Sequence, residues 1–436
     1  MRLSLVIILI VNILFGCSEP ERILSGKRVD PDSSFGFSDQ DKNSLAKDNR
    51  IELPPMKANK EWAVISSAIS KDHPNLMLSE NPSELWATSI GKGDSKKKRL
   101  VTDPIFYKQM IFTLDANSTA SAFDKKGKLL WRKDLTPPGE KTGEIFGGGF
   151  TTGQDQLFVT LGYGFLLSLD PLTGEKNWSQ RLSSTGNNTP IFNDGSVYLV
   201  SGDSKAWAID AENGRIIWKV DGIGNETNLI SSNSPAVSGK YALFGFGNSE
   251  IYATFKKGGY VLWSSALSGR SDSRVISAID DIVASPVIVG RNAYIGDGSG
   301  KVVSLKIENG ERNWTAPFGS SGNFWIAGKS LFFISDKNDL VRLEMKTGKT
   351  VWLTELPSFS KNRILGSKKT NQHHGPIIAG SQLIIASSDG FMRFYDPKTG
   401  EQRNKLKIKA GATVNPIVAN ETLYLITQDG NLRAFR

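Results

Sequence analysis

One repeated unit constrains this chain more than any other feature. It reads as an aspartate, a Thr-Gly or Asn-Gly pair a few residues on, and then a tryptophan. The clearest copies run from Asp170 through Thr173-Gly174 to Trp178, and from Asp210 through Asn213-Gly214 to Trp218. Weaker copies end at Trp131, Trp263, Trp314 and Trp352, and a seventh, Asp396 through Thr399-Gly400, reaches Asn404 where the tryptophan would stand. Trp86 has similar surroundings and heads the series. The mean spacing from 86 to 404 is about 45 residues, the length of a four-stranded propeller blade.

A single blade can be read directly. Residues 285–289 and 293–296 are predicted strands, followed by the turn Asp297-Gly298, a third strand over 301–305, the turn Asn309-Gly310 and a fourth strand from Arg312 that carries Trp314. Asp-Gly and Asn-Gly are hairpin turns because both members tolerate positive φ. Asp194-Gly195, Asp389-Gly390 and Asp429-Gly430 have the same form. Forty-three glycines suit such a turn-rich, all-β chain. Burying a tryptophan removes roughly 150–250 Å² from water, so one per blade reads as a packing wedge rather than a ligand-stacking residue.

The ends of the series are complementary. The C-terminus supplies three strands, around Ile417-Val418, Leu423–Ile426 and Leu432–Phe435, with no fourth. The segment around Trp86 is a fourth strand with no first three. Together they make an eighth blade that leaves no open edge at the seam. The expected fold is all-β: an eight-bladed β-propeller over 84–436, its ring closed by N- and C-terminal strands sharing one blade.

Residues 1–16 read as a signal peptide, with a basic start at Arg2 and a nearly unbroken apolar run from Leu3 to Gly16, short for a membrane span. Leu14-Phe15-Gly16-Cys17 has the lipoprotein pattern. Cys17 is the chain's only cysteine, so it is the expected lipidation site, and no internal disulfide can form. Several acyl chains give stable anchoring where one does not. In a Gram-negative cell, Ser18 after the cysteine points to the outer membrane rather than inner-membrane retention. Residues 17–83 are expected to be a flexible tether and lead-in: 18–60 are polar and poor in large apolar residues, whereas 62–78 are apolar enough to fold back.

The formal charge of +9 is a mild excess for 436 residues. Lys96-Lys97-Lys98-Arg99 reads as a solvated loop, with no basic stripe interleaved with aromatics to suggest nucleic acid.

The Asp-x-x-Thr-Gly-x-x-x-Trp unit resembles the repeat of quinoprotein dehydrogenases and their non-catalytic relatives. With the lipoprotein pattern and eight blades, the chain is similar to the BamB family, scaffold lipoproteins of the outer-membrane β-barrel assembly (BAM) machinery. The resemblance implies a non-catalytic scaffold on the periplasmic face that docks on the POTRA domains of the insertase subunit and helps unfolded outer-membrane proteins along. It places docking on two loops, here 222–233 and 271–284, with Leu229, Ile230, Asp280 and Asp281 as partner-binding residues. Thr227 and Val283 depart from the family pattern. Read alone, Leu229-Ile230 is equally a strand entering its blade, and Asp280-Asp281 a solvated pair.

Signals of catalysis are weak. One cysteine excludes the vicinal disulfide of catalytic relatives, and no compact acidic group marks a calcium site. His373-His374 reads as a loop pair, Gly147-Gly148-Gly149 as a turn or strand, and Asp280-Asp281 as poor geometry for an acid/base pair. No catalytic residue, metal or cofactor is expected. The alternative is a quinone-dependent periplasmic dehydrogenase or a ligand-binding propeller lipoprotein.

Overall fold

The computed structural model describes residues 50–62, 68–69, 72–186, 188–223, 234–267, 284–298, 300–320, 322–361 and 368–436. Among these residues the chain is all-β, with one 3-10 turn (Gly247–Ser249) and no α-helix. Eight sheets each contain four successively paired antiparallel strands. We number them I–VIII: residues 105–134, 148–181, 191–221, 236–266, 287–316, 325–355, 373–407, and 417–435 completed by Glu84–Ser89. This architecture of successive four-stranded sheets is of the β-propeller type.

Six of the eight first strands have three residues and are largely buried, as in Trp325–Ala327, while most fourth strands carry exposed residues alternating with half-buried ones, as in Lys176–Arg181. The sheets therefore run from interior to rim. The first strands of sheets I to V lie side by side in sequence order.

The repeat owes its regularity to the turn before each fourth strand. Asp210 Oδ1 accepts hydrogen bonds from the amides of Glu212 and Asn213, and Asp170 and Asp396 do the same in their turns. The glycine then adopts positive φ, +75° at Gly214. Its bare Cα face lies against the tryptophan of the preceding sheet: a Cβ there would sit 2.6 Å from the Trp178 ring. The same glycine-on-tryptophan contact recurs at Gly127, Gly174, Gly259, Gly310, Gly348 and Gly400. Each of these indole Nε1 groups also donates to a carbonyl of the following sheet, as Trp131 does to Pro171 at 2.9 Å and Trp314 to Met345 at 2.9 Å. The tryptophans are thus wedges between neighbouring sheets.

Asn404 is the instructive exception. The sheet after it is VIII, whose third and fourth strands come from opposite ends of the chain, so no Asp-Gly turn exists there to receive a ring. Asn404 instead donates its side-chain amide to Asn81 Oδ1 at 3.0 Å. Within sheet VIII, Asn431–Phe435 pairs with Glu84–Ser89, placing Ala434 opposite Trp86. Arg433 bridges to Glu84 at 2.8 Å, and Arg436 and Ser83 exchange backbone hydrogen bonds.

Two expectations need correction. Residues 50–60, expected as part of the polar tether, are not free. Met56–Lys57 pairs in parallel with Asn75–Leu76, which pairs with His373–Ala379, and Ala68–Ile69 pairs with Val287–Val289. Trp62, His73, Leu76 and Leu78 are buried. Apolar side chains and unpaired strand edges outweigh the polar average of the segment. The second correction concerns His373 and His374, which lie on a strand rather than a loop.

Candidate functional site

The first strands enter their sheets through a residue followed, in five sheets, by proline: Asp103, Thr189, Ser234, Ser285 and Asn415. Proline fixes its own φ and biases its predecessor toward extended backbone, so the chain arrives straight and exposes polar groups sideways. These groups stitch neighbouring sheets together. Ser234 N donates to Ser285 Oγ at 2.9 Å, joining sheets IV and V, and Ser285 N donates to Asn323 Oδ1 at 3.3 Å, joining V and VI. Gly375 N donates to Asn415 Oδ1 at 2.8 Å, and Asn415 donates both its backbone and side-chain amides to Asp103 at 2.9 Å. Thr102 Oγ1 donates to Gly148 O at 2.9 Å between sheets I and II. The result is a polar belt at one end of the first strands.

The two loops singled out for docking end on this belt, one at Ser234 and the other at Ser285. The structure therefore brings their roots together. Leu229, Ile230, Asp280, Asp281 and Cys17 themselves lie outside the described residues.

The belt holds two groups with displaced proton affinities. Burial pushes the Asp103 carboxyl up to about 6, only partly offset by the Asn415 hydrogen bonds. Burial, with His373 alongside, pushes His374 down to about 4, and its Nε2 has no hydrogen-bond partner among the described residues. His373 is also lowered, chiefly by burial. It contacts Ser387 Oγ at 2.7 Å and Pro357 O at 3.2 Å, so its ring is committed to packing.

These two shifts act oppositely on stability. Folded Asp103 keeps a proton that the unfolded chain releases near pH 4, so its contribution is full below that and is lost as pH rises through about 6. Folded His374 refuses a proton that the unfolded chain takes up near pH 6.5, so its contribution is lost as pH falls toward 4. Each is worth roughly 2–3 kcal/mol across that window, and they nearly cancel. Asp103→Asn should make melting temperature fall steeply on acidification from pH 7 to 4.5, and His374→Gln should reverse that slope. Melts of both variants across this range check it; parallel pH profiles would refute the assignment.

No group of three or more histidine, cysteine or acidic side chains placed to hold a metal occurs among the described residues. A cleft of about 320 Å³ lies between sheets I and II, with Leu161, Phe165 and Leu167 on its wall and Lys133 and Glu175 paired at 2.5 Å. Thr136, also on its wall, has a buried hydroxyl with no hydrogen-bond partner among the described residues.

Comparison with known proteins agrees with this geometry. The outer membrane protein assembly factor BamB of Shewanella oneidensis is 23% identical over 359 residues, covering 80% of this chain and 88% of that protein. Among solved structures, BamB from Moraxella catarrhalis superposes with a TM-score of 0.67 at 16% identity, covering 82% of this chain and all of that one. A quinohemoprotein alcohol dehydrogenase from Comamonas testosteroni superposes with a TM-score of 0.64 at 13% identity, covering 91% of this chain and 84% of that one, a likeness of fold alone. A family model described as outer membrane protein assembly factor BamB matches residues 116–354, more than half of the chain, and on that match the chain belongs to the BamB family.

Proposed function

We propose that this protein is a non-catalytic scaffold of the outer-membrane β-barrel assembly machinery. The family match over 116–354 carries the reading. The eight sheets form one eight-bladed ring, closed where Glu84–Ser89 completes the C-terminal blade. Residues 1–16 are removed on export, Cys17 carries the lipid, and 18–49 tether the ring to the periplasmic face of the outer membrane. The ring presents the loops 222–233 and 271–284 to the POTRA domains of the insertase. Support for one docking surface comes from the Ser234–Ser285 hydrogen bond, which holds the roots of both loops side by side. One loop carries an apolar pair, Leu229-Ile230, and the other an acidic pair, Asp280-Asp281, residue types that suit an anchor and a charged contact.

Affinity purification of the lipidated chain from detergent-solubilised outer membranes tests this. The parent should bring down the insertase, and Leu229→Ala with Asp281→Lys should lower its recovery at least tenfold while leaving the melting temperature within a few degrees. Unchanged recovery would remove these loops from the interface. Turnover of an alcohol or aldose after reconstitution with quinone and calcium would replace the scaffold reading with the dehydrogenase one.

A further inference from the structure

The free edges of the first strands are occupied by the chain's own lead-in. Asn420 N donates to Asn59 O at 2.8 Å and Asn59 Nδ2 donates to Val418 O at 3.1 Å, on sheet VIII. Trp62 and Phe106 exchange backbone hydrogen bonds at 2.7 and 2.8 Å, on sheet I. Ala68–Ile69 pairs with the first strand of sheet V. His73 N donates to Ile326 O at 2.7 Å and its Nδ1 accepts from Ile326 N at 2.9 Å, on sheet VI. Leu76 pairs with Ala379 on sheet VII. The described parts of 59–76 thus cover first-strand edges in five sheets. Strand edges of this kind bind any extended peptide through its backbone, and side-chain slots set the preference.

The two halves of the segment are held differently. His73, Asn75 and Leu76 are at most 2% exposed and belong to the core. The arm over 51–61 is mostly exposed, with Met56 at 50%; Trp62 is its one fully buried side chain, Ile51 and Leu53 pack half-buried on the core, Asn75 Nδ2 donates to Pro54 O at 3.1 Å, and Met56–Lys57 pairs with Asn75–Leu76. Trp62 stacks on Trp325 at 6.2 Å between ring centres. Trp325 is 2% exposed, yet its indole Nε1 has no acceptor among the described residues.

We propose that the arm 51–62 is a displaceable occupant of a peptide site, and that an extended segment of an unfolded polypeptide, bearing an aromatic residue, replaces it on the edges of sheets VIII and I against Phe106 and Trp325. This rests on the scaffold reading above and gives it a place to hold a client chain. Weakly held segments open locally at small cost, but the arm competes from within the same chain at an effective concentration in the millimolar range. Binding in trans is therefore weak until the arm is loosened.

The test uses the full chain and a fluorescent peptide of residues 51–62 as probe. Trp62→Ala should bind the probe at least ten times more tightly than the parent, by fluorescence anisotropy. Asn59→Cys with Asn420→Cys, oxidised to lock the arm, should bind none, and reduction should restore the parent's affinity. Circular dichroism establishes that each variant is folded. A folded Trp62→Ala protein that binds no better than the locked one overturns the proposal, as does probe uptake by the locked protein equal to the parent's. Insertase recovery reports separately: loss of docking by the parent would sink the scaffold reading, whereas a locked protein that docks normally and takes up no probe supports the exchange.

Discussion

Replacing Glu84–Ser89 with a glycine-serine run of equal length should abolish cooperative folding. The strand contributes one whole edge of sheet VIII, in register with Asn431–Phe435 from Ser89 opposite Asn431 to Trp86 opposite Ala434. It also supplies the Trp86 wedge, whose Nε1 reaches Lys125 O at 3.2 Å and whose ring takes the bare face of Gly127 in sheet I. Loss of a packed tryptophan alone costs about 3–5 kcal/mol, and each ladder hydrogen bond about 1 kcal/mol net. A domain's total stability is about 5–15 kcal/mol. The replacement also strips Arg433 of Glu84, leaving that buried guanidinium with Asp429 and Thr427. Denaturant unfolding should show no cooperative transition, and a peptide of residues 82–92 added in trans should restore one. A variant that melts within a few degrees of the parent would show that the C-terminal strands do not need this partner.

The repeat was legible in the sequence because its parts act locally. Asp170 and Asp210 build their turns with side chains two and three residues away, the glycines supply positive φ at once, and the tryptophans sit at fixed distance beyond. Such motifs survive reading without a structure. The path of the lead-in did not. His73 binds Ile326, Asn75 binds Ser381 and Asn59 binds Val418, all contacts between residues some 250 to 360 positions apart. The strands involved are two residues long, too short to show a period. The belt was half visible: the residue-proline pairs stand out, but Asn415 reaches Asp103 across 312 positions of the chain. The paired histidines gave no cue at all, since neither position falls on the repeat and their burial is set by neighbouring strands. The deviation at Asn404 was visible as a missing tryptophan, and only the absence of a turn in sheet VIII explains it.

The wedge itself makes the second large expected effect, and its control lies in the same molecule. Gly214 and Gly239 both adopt positive φ, +75° and +56°. A methyl group at Gly214 would meet the Trp178 ring at 2.6 Å, whereas one at Gly239 would meet nothing within 4 Å. Gly239→Ala therefore carries only the backbone cost of a left-handed residue, about 1–2 kcal/mol. Gly214→Ala carries that plus the displacement of a packed indole, a further 1–3 kcal/mol, and pulls Trp178 Nε1 away from Ala211 O, 3.1 Å distant in the folded chain. Trp131→Ala, removing a buried wedge outright, should cost about 3–5 kcal/mol. Asn404→Trp should give no gain, because sheet VIII offers the new ring no glycine turn and the substitution breaks the bond to Asn81. Equilibrium unfolding in urea ranks the four. Equal losses at Gly214 and Gly239 would mean that the glycines serve turn geometry alone, and stabilisation by Asn404→Trp would mean that the ring needs no turn to receive it.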